Sequence, residues 1–180
     1  MEKDLFGKTV KKRRTRIEIL LSKQDRESLP GRIERINYLR KIISPRMGIM
    51  GSMDLVFVFQ EAKSSYVNGQ FIATLLLAQA FIEKIIQSQM EAKGYPGTNR
   101  GLKYMVKYCR DKNLLPSVIL DKIDYLRNIR NPFTHLKPDN YPYHLDLRIY
   151  QKKMQPYKVL ENDAREAIST MLTVLVNKIL

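Results

Sequence analysis

Residues Gln70 to Lys93 read Gln-Phe-Ile-Ala-Thr-Leu-Leu-Leu-Ala-Gln-Ala-Phe-Ile-Glu-Lys-Ile-Ile-Gln-Ser-Gln-Met-Glu-Ala-Lys, and their period decides the fold class. Phe71, Ile72, Leu75, Leu76, Gln79, Ile82 and Ile86 return at steps of three and four, the spacing of one broad helical face. Gly94, followed by Pro96 and Gly97, ends the run. A stripe this wide belongs to a central core helix. Glu83 lies about 80° from its middle at the helical angle per residue, close enough to the packed face to be more than a solvated charge.

Working outward, the same period predicts a helix over Asp54–Tyr66, with Ser52 as its N-cap and Asn68-Gly69 as the break before the central helix. Downstream it predicts Arg100–Asp111 and Pro116–Arg130, divided at Asn113, with Pro116 suited to a first helical turn. Ala164, Ala167, Ile168, Met171, Leu172, Leu175 and Ile179 give an amphipathic C-terminal helix. Upstream, Ile33, Ile36, Leu39 and Ile43 predict a helix over 31–43 that Pro45 stops, and the glycines of Met47–Met53 read as a linker. Arg16–Leu21 alternates Ile17, Ile19 and Leu21, which suits a short strand as well as a helical turn. Repeats are absent and strand-like alternation is scarce. The expected architecture is an all-α antiparallel bundle of four to five helices over 51–180, preceded by a basic N-terminal extension over 1–50 that contains a short helix.

The chain has 32 Lys and Arg against 18 Asp and Glu, a formal charge of +14. Residues 1–50 hold 14 of the cations and only 6 of the acids. Such an excess exceeds what solubility asks for and favours a polyanionic partner, RNA or DNA. The run Lys11, Lys12, Arg13 and Arg14 reads as an arm that lies along phosphates. No sequence signature of a recognition helix or zinc finger supports sequence-specific DNA reading.

Cys109 is the only cysteine. It can form no internal disulfide, and no cysteine or histidine cluster around it has metal-ligand spacing, so neither a metal nor a cofactor is expected. The first residues lack an apolar signal segment, and the apolar run Phe71–Phe81 is interrupted by Thr74 and Gln79 and too short to span a bilayer. A cytoplasmic protein without a membrane association is the expectation.

One helical face carries the chemistry. Ile119, Ile123, Leu126 and Arg130 are separated by four, three and four residues, so a guanidinium ends an apolar stripe. Burying it is costly without an anion from the protein, a neighbouring subunit or a ligand. Pro132 biases Asn131 away from helical geometry, so the backbone is expected to end, kink or restart there, gathering Arg130, Asn131 and His135 at one corner. Arginine offers a planar fork to phosphate oxygens, asparagine orients by hydrogen bonding, and histidine moves a proton near neutral pH. Together they suit metal-free phosphodiester cleavage through a ribose 2′-hydroxyl, which restricts the substrate to RNA. One histidine cannot readily serve both sides of one phosphorus. His144 has no comparable setting, so a two-fold homodimer would supply the second His135.

The segment Leu126-Arg-Asn-Ile-Arg130-Asn131-Pro-Phe-Thr-His135 resembles the Arg, polar residue, then His signature of the HEPN superfamily, here with R-x4-H spacing. Tyr66–Lys84, with Glu83, is similar to that family's paired first helices and their frequent acidic residue. The resemblance covers about residues 54–180. It implies a helical bundle, homodimerisation and metal-independent endoribonuclease activity at a composite site, with Arg130 on the scissile phosphate, Asn131 orienting and His135 transferring the proton. Glu83, Asp124 and Arg127 would be supporting residues, Glu83 by pairing with Arg130, although either carboxylate could simply balance nearby cations. Lys137 joins Lys11–Arg14 as an RNA-binding candidate. The resemblance further implies a toxin or anti-phage defence effector with an antitoxin or regulatory partner. Superfamily toxins paired with a small nucleotidyltransferase commonly have a tyrosine two residues after the motif histidine. Lys137 stands there, and Tyr141 and Tyr143 are out of register.

Two other functions compete. A non-catalytic module of the same fold would bind nucleotides, RNA or proteins without cutting. A DNA-associated structural protein would show salt-sensitive duplex binding that ignores His135. In the plainest reading Arg130 caps its own helix and His135 is a surface residue.

Overall fold

A computed structural model describes residues 15–44, 48, 51–177 and 179, and the Lys11–Arg14 arm lies outside them. The described chain is helical throughout, without a strand: α1 (Arg16–Ile42), α2 (Met53–Val67), α3 (Phe71–Ala92), α4 (Leu102–Asp111), α5 (Ser117–Thr134), α6 (Leu145–Lys152) and α7 (Pro156–Val176). A short 3-10 turn, Thr98–Arg100, precedes α4. The fold class is the expected helical bundle, with more helices than the four or five read from periodicity.

Helix α3 is the axis, packed against α2 and α7 and touched by α4 and α5. Most of its apolar stripe enters the core: Leu75, Gln79, Ile82 and Ile86 are buried, with Phe81 and Met90 beside them, while Phe71 and Leu76 are half-buried and Ile72 is exposed. Helices α2 and α3 run antiparallel because only Asn68–Gln70 joins them while the Phe59 and Phe81 rings, both well away from the turn, pack 5.4 Å apart. The turn is a Schellman closure in which Gly69, at φ +76°, places Gln70 N on Ser65 O at 2.9 Å. Gly94 ends α3 in the same way, with Tyr95 N on Met90 O at 2.9 Å.

Helix α1 differs from the expectation of a helix over 31–43. It begins at Arg16 instead, because Thr15 and Glu18 form a capping box: Glu18 N donates to Thr15 Oγ1 at 3.2 Å and Thr15 N to Glu18 Oε2 at 2.6 Å. Pro30 does not break it, since Arg26 and Pro30 are both exposed and water can reach the carbonyl that loses its amide. The first half of α1 stands free of the bundle, with Ile17, Leu20 and Leu21 exposed. The second half joins it. Leu39 is part of the common core, Arg35 donates to Val67 O at 2.9 Å and pairs with Glu161 at 3.5 Å, and the Tyr38 and Tyr66 rings meet at 5.8 Å. Leu39 thus shares one core with residues of α2, α3, α4, α5 and α7.

Helix α3 has 22 residues and is long and apolar enough to cross a membrane, longer than the interrupted run Phe71–Phe81 suggested. Phe81, Ile82, Ile85, Ile86 and Met90 of this helix are buried in the bundle.

Candidate functional site

Helix α5 is built from an inward stripe, Ile119, Ile123 and Leu126, all buried against α3, α4 and α7. Arg130 continues that stripe at the point where the bundle ends, so it is only half-buried. The helix neither stops nor restarts at Asn131, contrary to the expectation from Pro132. It runs through the proline to Thr134, and His135 N still donates to Asn131 O at 2.9 Å. Asn131 is thus a helical residue.

Around this last turn the side chains converge. Arg130 Nη1 donates to Thr134 Oγ1 at 3.1 Å and lies 3.4 Å from His135 Nε2. For the guanidinium to donate there, Nε2 must offer its lone pair, with the ring proton on Nδ1. Thr134 Oγ1 in turn donates to Asn131 O at 3.4 Å. Arg130 Nε is buried without a hydrogen-bond partner, and among the described residues no carboxylate pairs with Arg130. His135 is exposed, and Leu136 beside it is wholly exposed. The arrangement is a cation with spare donors and an accessible imidazole in one cluster, suited to holding an oxyanion and moving a proton next to it.

The expected supporting residues are placed elsewhere. Glu83 does not orient Arg130: its Oε1 accepts from Leu102 N at 3.0 Å and caps α4, where Gly101 has no side chain for the task. Asp124 accepts from Arg127 at 3.2 and 3.3 Å and from Arg110 at 3.3 Å, while Arg110 also holds Asp121 at 2.9 Å. These four residues tie α4 to α5. The plain charge-balancing reading of Asp124 describes them, and Arg127 is engaged on its own helix.

Lys137 Nζ sits 5.6 Å from the centre of the Tyr141 ring. His144 donates from Nε2 to Pro138 O at 2.9 Å and stands edge-on to Tyr141, so the second histidine fastens a loop. The Arg148–Asp163 pair joins α6 to α7 in a buried setting. Burial, against the Arg148 hydrogen bond, raises the Asp163 pKa above the ordinary carboxylate value. The Cys109 thiol is buried and pushed up to about 11 by that burial, far from the pKa of a reactive cysteine. Among the described residues no group of three or more His, Cys, Asp or Glu could hold a metal ion.

Sequence reasoning did not single out Thr134 or assign Tyr141 its role. Thr134 was detectable, four residues beyond Arg130 and hence on the same face once the helix is known to continue. No family model, curated protein or solved structure matches the chain.

Proposed function

We propose that the chain is a metal-independent endoribonuclease that works as a homodimer, with Arg130, Asn131 and His135 of each protomer forming one composite site. The observation that carries this reading is Arg130, half-buried, unpaired with any carboxylate among the described residues, and 3.4 Å from a histidine nitrogen. Its remaining donors suit phosphate oxygens.

In the proposed step the 2′-hydroxyl gives its proton to His135 of one protomer, and the 2′-oxygen bonds to phosphorus. The bond from phosphorus to the 5′-oxygen breaks, and the partner subunit's His135, as imidazolium, protonates that oxygen. The products are a 2′,3′-cyclic phosphate and a 5′-hydroxyl. Arg130 stabilises the extra charge on the non-bridging oxygens, and Asn131 orients the phosphate. Leu136, wholly exposed beside His135, supports a protein neighbour at this corner.

A net charge of +14 supports RNA as substrate, with Lys137 and Lys11–Arg14 on its backbone. Unregulated RNA cutting harms its host, so the proposed setting is a cytoplasmic toxin or anti-phage effector restrained by an antitoxin-like partner. The second reading, a binding module without cleavage, is favoured by the free half of α1 with exposed Ile17, Leu20 and Leu21. Incubating the protein and His135→Ala with mixed RNA in EDTA separates the two. Cyclic-phosphate ends from the wild type alone support the nuclease, and equal ends or none from both proteins overturn it.

A further inference from the structure

Pro132 leaves a gap in α5 that a distant residue fills. The Asn128 carbonyl would ordinarily accept the amide four residues on, but proline has no amide and its ring crowds that carbonyl. Tyr141 Oη takes the missing position, donating to Asn128 O at 3.2 Å, and lies 3.5 Å from Asn128 Oδ1. Its ring is held from several sides. Tyr143 packs at 5.5 Å, His144 stands edge-on at 5.8 Å, and Lys137 Nζ lies over the face at 5.6 Å. Tyr143 also reaches Tyr125 of α5 at 6.2 Å. The segment after His135 is thus laid back along α5 and fastened at Tyr125 and Asn128.

The fastening bears directly on the cluster. Asn131 precedes a proline, a place where helical geometry is disfavoured, yet it is helical. The last turn, Asn131–Thr134, sets the 3.4 Å approach of His135 Nε2 to Arg130 Nη1, because His135 follows directly from it. Without the Tyr141 hydroxyl, Asn128 O would lose the partner that replaces the amide, and the turn could open at the proline as local preference favours.

We infer that Tyr141 is a positioning residue for the Arg130–His135 site: its hydroxyl stands in for the amide that Pro132 lacks and keeps the turn carrying His135 helical. The site's role in cleavage rests on the function proposed above, whereas the positioning itself does not.

Restoring the amide tests it. Full-length wild type, Tyr141→Phe, Pro132→Ala and the double variant are compared for RNA cleavage and for the His135 ring resonances by NMR. Tyr141→Phe is expected to shift or broaden those resonances and to lower kcat about tenfold at little-changed KM, the scale of a small misplacement of reacting groups. In the Pro132→Ala background, where the restored backbone amide can serve Asn128 O, the same change is expected to leave both readouts within about twofold. The inference is overturned if Tyr141→Phe leaves the His135 resonances unchanged, or if its effect is the same in both backgrounds. If no protein cleaves RNA, the nuclease reading fails, while the resonances still decide the positioning.

Discussion

Glu83 on α3 accepts the backbone amide of Leu102, the first residue of α4, at 3.0 Å across nineteen residues of chain. The carboxylate supplies both a hydrogen bond and a negative charge at the positive end of a helix whose N-cap is Gly101. Glu83→Ala is expected to cost about 1 kcal/mol in urea unfolding, with Glu83→Gln recovering part of it. RNA cleavage, where present, keeps its pH profile in both. A changed profile would return Glu83 to the site.

Arg130→Lys keeps the charge and loses the planar fork. If the guanidinium holds the phosphate, the change lowers kcat by about 10²- to 10³-fold, as for loss of one transition-state donor, with little effect on thermal unfolding. Steady-state kinetics on a short RNA checks this, and near-wild-type kcat would show that charge alone suffices.

Arg35 and Glu161 join α1 to α7 at 3.5 Å with both side chains about nine-tenths buried. Arg35 also satisfies Val67 O at 2.9 Å, the carbonyl at the end of α2. Removing the guanidinium leaves Glu161 with Lys158 as its remaining partner, at 3.1 Å, and a carbonyl without this donor, so Arg35→Ala is expected to destabilise by about 2 kcal/mol. Limited proteolysis should then cut within residues 16–42 first. Protection equal to wild type would mean that Leu39 and Tyr38 alone hold the helix.

Asp163 predicts a pH dependence with a definite sign. Burial raises its folded pKa above the unfolded value near 3.9. The folded state therefore binds the proton more tightly, and the stability this gives is complete below the unfolded value and is lost as pH rises through the folded one. The unfolding free energy of the wild type minus that of Asp163→Asn is expected to decline as pH rises from about 4. A difference that grows with pH would show that Arg148 outweighs burial.

The Arg130–His135 corner was only partly legible in the sequence. Arg130 at the end of the Ile119, Ile123 and Leu126 stripe could be found by counting, and its closeness to His135 follows from a short separation. The continuation of α5 past Pro132 could not, because local preference at Asn131 points the other way and Tyr141 reverses it through a hydroxyl thirteen residues from Asn128. Helix α6 was missed for a similar reason: its buried Arg148 breaks the apolar pattern and is accounted for by its distant partners, Asp163 on α7 and Tyr125 on α5.

By itself the sequence determined the all-helical class, the central place of α3 and the breaks at Asn68-Gly69 and Gly94, since periodicity and turn chemistry act over a few residues. Only the tertiary structure decided which distant polar groups meet: Glu83 with α4 rather than Arg130, Asp124 with Arg110, and Tyr141 with Asn128. Partners of buried and half-buried polar atoms are chosen by what packing brings within about 3 Å, and no local pattern encodes that distance.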